Sequence, residues 1–194
     1  MPQLIHERPE DAALIEPLLE KCFGPERFKK TAYKLREKLE PIPELSFVVR
    51  ENEKLLATIR YWPLKIGENS EALLLGPIAV DPERQGEGLG VSLIRKSLQV
   101  AQDLGYQVVL LVGDPEYYEQ FGFVSATKCN LSLPGPVEDR RFLVKELRTG
   151  SLSGISGPVA GGNIGRKSAG WIASPQETTT EIEKLTAFAP PSEA

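Results

Sequence analysis

ALLLGPIAVDPERQGEGLGVSLIRKSLQVAQDLGYQVVLLV, residues 72–112, decides the fold. It opens on an apolar run, 72–80, with no polar alternation, the pattern of a strand buried on both faces. It closes on a second such run, 107–112. Between them Leu89, Leu93, Ile94, Leu98, Ala101 and Leu104 recur at helical spacing, and Gly105 suits a left-handed helix end. Strand, helix and strand in this order predict a crossover between two parallel strands. The loop between the first strand and the helix, DPERQGEGLG at 81–90, carries Gly86, Gly88 and Gly90. Such a loop turns backbone N–H groups toward an anion above a helix N-terminus.

Outward from this unit, QLIHE predicts a short first strand. A helix follows, with Pro9 at its start, acids in its first turn, Pro17 as a kink and Gly24 past its end. A second helix is predicted over Arg27 to Leu39, ended by PIP. SFVVRENEKLLATIRYWPLKI reads as two strands around a turn at Glu51 to Lys54, so the central strand closes an antiparallel meander. After the crossover, DPEYYEQFGF predicts a short helix ending at Gly122, and FVSATKCNLSL with RRFLVKEL a last pair of strands. From about Thr149 the composition turns to Gly and Ser without a period, which predicts a domain over 1–148 and a loosely packed or disordered tail over 149–194. In the tail LSGIS suits packing on the domain edge, EIEKLTAF suits one short helix, and Trp171 has no clear place.

The bulk numbers narrow the function. The chain of 194 residues has a hydrophobic fraction of 41%, enough for a sizeable core. A net charge of −4 speaks against a nucleic-acid partner. Cys22 and Cys129 lack metal-ligand spacing and fit a reduced, cytoplasmic protein. The first residues lack the bases and apolar block of a signal peptide, and no run reaches the roughly 20 apolar residues of a membrane span. His6 is the single histidine, so a histidine-based triad or multi-histidine metal site is not expected, and no metal is.

The glycine spacing excludes two familiar phosphate loops. Five residues, DPERQ, separate Val80 from Gly86, and Val91 stands where a dinucleotide fold needs its third glycine. No G-K-[ST] follows, so the loop is not a nucleotide-triphosphate P-loop. A tight turn with no ligand and a pyrophosphate site both remain open on spacing alone. The order of elements adds more. A meander, a buried strand, Gln85-x-x-Gly88-x-Gly90, a long helix, a parallel strand and Tyr118 four residues before Gly122-Phe123 together resemble the GNAT superfamily of acetyl-CoA-dependent N-acetyltransferases. The resemblance covers roughly residues 2–147 and is similar to a bacterial branch of predicted N-acetyltransferases. It implies an α/β (α+β) fold: a central, mostly antiparallel mixed sheet with a parallel crossover between the fourth and fifth strands and helices on both faces.

That resemblance also implies roles. The acetyl-CoA pyrophosphate is expected on the amides of Gln85, Gly86, Glu87, Gly88, Leu89 and Gly90, with Arg84 or Gln85 adding a side-chain contact. The pantetheine arm is expected along Ile78, Ala79 and Val80, and the Val80 N–H is expected to polarise the thioester carbonyl. Tyr118 is the expected proton donor to the leaving thiolate, while Tyr117 and Phe121 are expected in the core. Glu44, Glu71 and Glu116 are available bases, and a water relay serves equally. Cys22 and Cys129 read better as small buried residues than as nucleophiles. The acceptor, a small-molecule or peptide amine, is expected near Cys22 to Phe28, with Arg60 and Trp62 on one face of a strand. GDP stands where the family often places an Asn near the short helix, a departure from its pattern. Open alternatives are a protein lysine or N-terminal acetyltransferase, a silent acyl-CoA sensor and a phosphate binder of another kind. Homodimers are common in the fold, though no apolar stripe marks an interface.

Overall fold

The computed structural model describes residues 1–164 and the pair Thr180–Glu181. Strands β1 (Gln3–His6), β2 (Phe47–Glu51), β3 (Lys54–Ile66) and β4 (Ser70–Val80) form an antiparallel meander. β5 (Val108–Val112) runs parallel to β4, and β8 (Phe142–Glu146) and β6 (Val124–Ser125) extend the sheet beyond it. β10 (Thr180–Glu181) pairs with β1 at the opposite edge.

The crossover is α3 (Leu89–Asp103), bounded by Gly88 and Gly105 at φ 77° and 81°. Its apolar stripe, including Leu89, Leu93, Ile94 and Leu98, packs with Tyr61, Leu73, Val109 and Leu111 on one face of the sheet. α1 (Ala12–Phe23) covers the other face, placing Ile15, Leu18 and Leu19 against Val48, Leu55 and Ala79. Helices therefore lie on both sides, and β4 is buried between them as its continuous apolar run requires. His6 lies half-buried on the Phe47 ring at 4.3 Å.

Three elements differ from the sequence reading. The helix predicted over 27–39 is a 3₁₀ segment, Pro25–Lys29, followed by α2, only Thr31–Lys34. Lys30 between them is extended at φ −72° and ψ 142°, because Arg27 folds back onto the Gly24 carbonyl, Glu16 and Glu20 instead of continuing a helix face. In the last strand pair only β6 joins β8; Leu131–Ser132 (β7) pairs in parallel with β9 (Gly157–Gly161). β9 lies in the segment read as loosely packed, yet it also pairs with Leu64–Ile66 of β3, and Val159 is fully buried. The segment over Trp171 and nearly all of EIEKLTAF lie outside the described residues.

Candidate active site

The site begins where a ladder stops. β4 and β5 pair only at Leu73–Val109 and Leu74–Leu110. Opposite this point the β3–β4 register shifts: Ile59 pairs with Ile78 and Tyr61 with Leu75, so Gly76 and Pro77 together face Arg60. Gly76 takes φ 132°, a conformation that glycine alone adopts readily, and its carbonyl accepts the Trp62 indole N–H at 2.6 Å. Past the last pair, Leu75–Ile78 on one strand and Val112–Asp114 beyond the other line a cavity of about 460 Å³.

Backbone alternation decides which groups face that gap. The Asp81 N–H donates to the Leu56 carbonyl at 2.8 Å, and Ala57 is registered with Val80. Ala79 therefore spends its backbone on β3, while Ile78 and Val80 turn their N–H and C=O groups away from β3. The Val80 carbonyl accepts the Cys22 thiol at 3.4 Å, and burial raises the Cys22 pKa. That is the environment of a structural thiol, not of a nucleophile.

The loop after β4 is held from its start. Asp81 is buried, accepts the Glu83 N–H at 3.2 Å, and pairs with Lys21 at 2.8 Å and Lys54 at 3.1 Å. Lys21 is the main cause that holds its carboxyl down to about 2. Arg84 is engaged by Glu51 at 2.8 Å and by Glu87 at 2.7 Å, so it braces the loop between two carboxylates. Gly86 and Gly88 take φ 86° and 77°. No side chain caps α3. Ser92 donates to the Gly88 carbonyl at 2.9 Å, and the amides of the turn before it have no intrahelical acceptor. A Cβ on Gly90 would stand 3.2 Å from the Tyr117 hydroxyl oxygen and 3.4 Å from Val80, so a side chain there would crowd the approach to these amides.

The two tyrosines of α4 (Pro115–Tyr118) divide differently from expectation. Tyr118 is half-buried beside Phe121 and Phe123, lines the cavity, and lies so close over Gly113 that any Cβ there would overlap its ring. Burial, then the neighbouring Tyr117 and Asp114, pushes its pKa well above the usual tyrosine value. Tyr117, expected in the core, is 39% exposed with its hydroxyl at the first turn of α3. Its ring meets Tyr118 edge-on, 5.0 Å between centroids. The reason is that neighbours on a helix point about 100° apart, so the two side chains leave α4 in different directions.

Residues 12–123 match the model of the Acetyltransferase (GNAT) family, more than half of the chain. The chain belongs to the GNAT family. Among curated proteins it is 30% identical to YhbS of Escherichia coli strain K12, an uncharacterized N-acetyltransferase, over 79% of this chain and 92% of that one. Escherichia coli YjhQ, another uncharacterized N-acetyltransferase, is 32% identical over 58% of this chain and 64% of that one. The crystal structure of Escherichia coli YhbS in complex with CoA aligns with a TM-score of 0.72 at 29% identity, over 83% of this chain and 89% of that one. A GNAT acetyltransferase from Brucella melitensis in complex with acetyl-CoA aligns with a TM-score of 0.62 at 28% identity, over 82% and 95%.

The other half of this GNAT cavity includes Phe23 and Arg27, within the Cys22 to Phe28 stretch expected near the acceptor, together with residues the sequence did not single out. Arg27, Lys30, Tyr33 and Arg36 come from the α1–α2 region, and Pro136, Val137, Glu138 and Arg141 from the loop before β8. Thr31 donates to the Pro136 carbonyl at 2.7 Å and ties the two walls together. None of the three carboxylates considered as bases lines the cavity: Glu116 pairs with Arg140, Glu71 lies opposite Lys65, and Glu44 stands in the 3₁₀ turn before β2. The carboxylates that do line it are Asp114, paired with Arg141 at 3.3 Å, and Glu138. Arg60 is taken by Glu7 in a two-pronged pair at 2.6 and 2.8 Å, so it is a structural cation. The one signal in the sequence was the density of Arg, Lys and aromatic residues over 27–36.

Proposed function

We propose that this protein transfers an acetyl group from acetyl-CoA to an amine of a small molecule or peptide. One observation carries the reading: the broken β4–β5 ladder and Ile78 line one cavity, and the uncapped N-terminus of α3 at Gly90 lies against Val80 and against Ile78 and Tyr117 of the cavity wall. A thioester on an extended, amide-bearing arm with a pyrophosphate needs these features in this order. Crystals of relatives with CoA and acetyl-CoA support the same donor. A cavity of about 460 Å³ suits a small acceptor.

In this reading the amides of Gln85 to Gly90 hold the pyrophosphate, and Ile78 and Val80 pair with the arm. Acetyl-CoA supplies the activated acyl group. The Val80 N–H, turned away from β3, is assigned to stabilise the charge that develops on the carbonyl oxygen. The acceptor amine gives up a proton before it attacks, to water or a cavity carboxylate. Tyr118 keeps its proton through neutral pH and offers it to the leaving sulfur. Release of free coenzyme A in the presence of a panel of amines tests the proposal. Tyr118→Phe is expected to lower kcat by about 10²-fold and to change acetyl-CoA affinity little. Unchanged kcat would remove Tyr118 from the chemistry.

A further inference from the structure

Arg36 is the feature of the cavity that the transfer reaction does not explain. The residue is 8% exposed and lines the cavity wall. No carboxylate of the described residues pairs with it, whereas the neighbouring cations Arg27, Arg60 and Arg141 each have one. Its guanidinium carbon lies 3.5 Å from the centre of the Tyr33 ring and 5.2 Å from that of Trp62. Aromatic faces engage a guanidinium through its π-surface and leave its N–H groups to donate in its own plane. The Tyr33 hydroxyl is buried and interacts with this guanidinium, with no other hydrogen-bond partner among the described residues. Trp62 is itself fixed by its bond to Gly76 at the bulge of β4, so the guanidinium is anchored next to the broken ladder.

Burying an unpaired cation is costly, and a fold keeps one where something completes it. Charge in the cavity points the same way. Among the cations that line the cavity, Arg27 is met by Glu16 and Glu20 and Arg141 by Asp114, which leaves Arg36 and Lys30 beside Glu138. Lys30 lies over the Phe23 ring at 5.9 Å and forms no ion pair among the described residues. Arg36 and Lys30 are therefore the cavity cations that no carboxylate of the described residues pairs with. Burial lowers the Arg36 pKa to about 10, so the group remains charged at neutral pH.

We propose that the acceptor is an amine that also carries an anionic group, a carboxylate or a phosphate, and that Arg36 with the Tyr33 hydroxyl binds that group. This rests on the acetyl-transfer reading of the same cavity. The anion anchors one end of the acceptor at α2 and leaves its amine to face the gap between β4 and β5. Planar, two-pronged donation by Arg36 suits a carboxylate or two phosphate oxygens.

The test uses matched amines: each free amino acid against its C-terminal amide, and phosphoethanolamine against ethanolamine. Coenzyme A release is measured for each, and acetyl-CoA binding is measured separately by calorimetry. At least one anionic amine is expected to exceed its neutral partner in kcat/KM by about tenfold or more, and the two pairings separate carboxylate from phosphate. Arg36→Gln is expected to raise KM for that amine and bring the ratio close to one, with acetyl-CoA affinity within about twofold of the parent. Arg36→Lys, which keeps the charge and loses the planar fork, is expected to fall between. Equal use of neutral amines, a preference that survives Arg36→Gln, or acetyl-CoA binding with no anionic amine acetylated would each overturn the inference. Loss of acetyl-CoA binding by the parent protein would instead overturn the transfer reading beneath it.

Discussion

At Tyr118, packing and proton chemistry act on the same side chain. The ring is wedged over Gly113 and among Phe121 and Phe123, and that burial keeps its hydroxyl protonated. A donor with a raised pKa does not titrate away in the working range. The pH profile of kcat/KM is therefore expected to rise as the amine deprotonates and to show no fall from this tyrosine below about pH 10, its ordinary value. A falling limb near neutral pH that vanishes in Tyr118→Phe would contradict this. Asp81 acts in the opposite sense, with a depressed pKa. Its stabilisation is present above the ordinary carboxylate range near pH 4 and is lost as pH falls toward its folded value of about 2. Asp81→Asn is expected to cost about 1 kcal/mol at neutral pH, discounted because Lys21 and Lys54 reach it from solvent. Denaturant titration should show the difference at pH 7 and its decline in acid.

At the scale of elements, the sequence was most legible where one pattern dominated. The apolar stripe of α3 and the apolar run of β4 admit one arrangement, and both form as read. The region 27–39 was misread because tertiary contacts override a weak helical period: Arg27 turns back to α1, and Arg36 turns in to Trp62. Neither contact leaves a trace in local spacing. Tyr117 and Tyr118 were told apart only by distance from Gly122, which says nothing of exposure. Gly113 belongs to this scale too, since it joins β5 to α4 and leaves room for the Tyr118 ring. Gly113→Ala is expected to displace that ring and lower kcat about as far as Tyr118→Phe, with a thermal midpoint shift of only a few degrees. Full activity in that variant would show that the ring position is not needed.

Across the whole molecule, the fold is a sheet opened at one point. The meander and the parallel crossover set β4 between α1 and α3, and where its ladder with β5 ends the cavity opens. The crossover and glycine loop were legible because glycine spacing and apolar periodicity report directly on backbone geometry. β9 was not, because Gly and Ser read as flexibility. Here Gly161 instead allows close approach: a Cβ would run into the Leu35 carbonyl. The cavity wall opposite β4 was legible only over Cys22 to Phe28, because its other residues gather from separate segments.

The central claim is that the gap between β4 and β5 and the glycine loop together take acetyl-CoA. Calorimetric titration of the purified protein with acetyl-CoA, with NAD and ATP as controls, tests it most directly. The expected result is one site per chain with a Kd on the order of micromolar, about 8 kcal/mol of binding free energy, and little heat from NAD or ATP. No binding of acetyl-CoA, or equal binding of ATP, would contradict it.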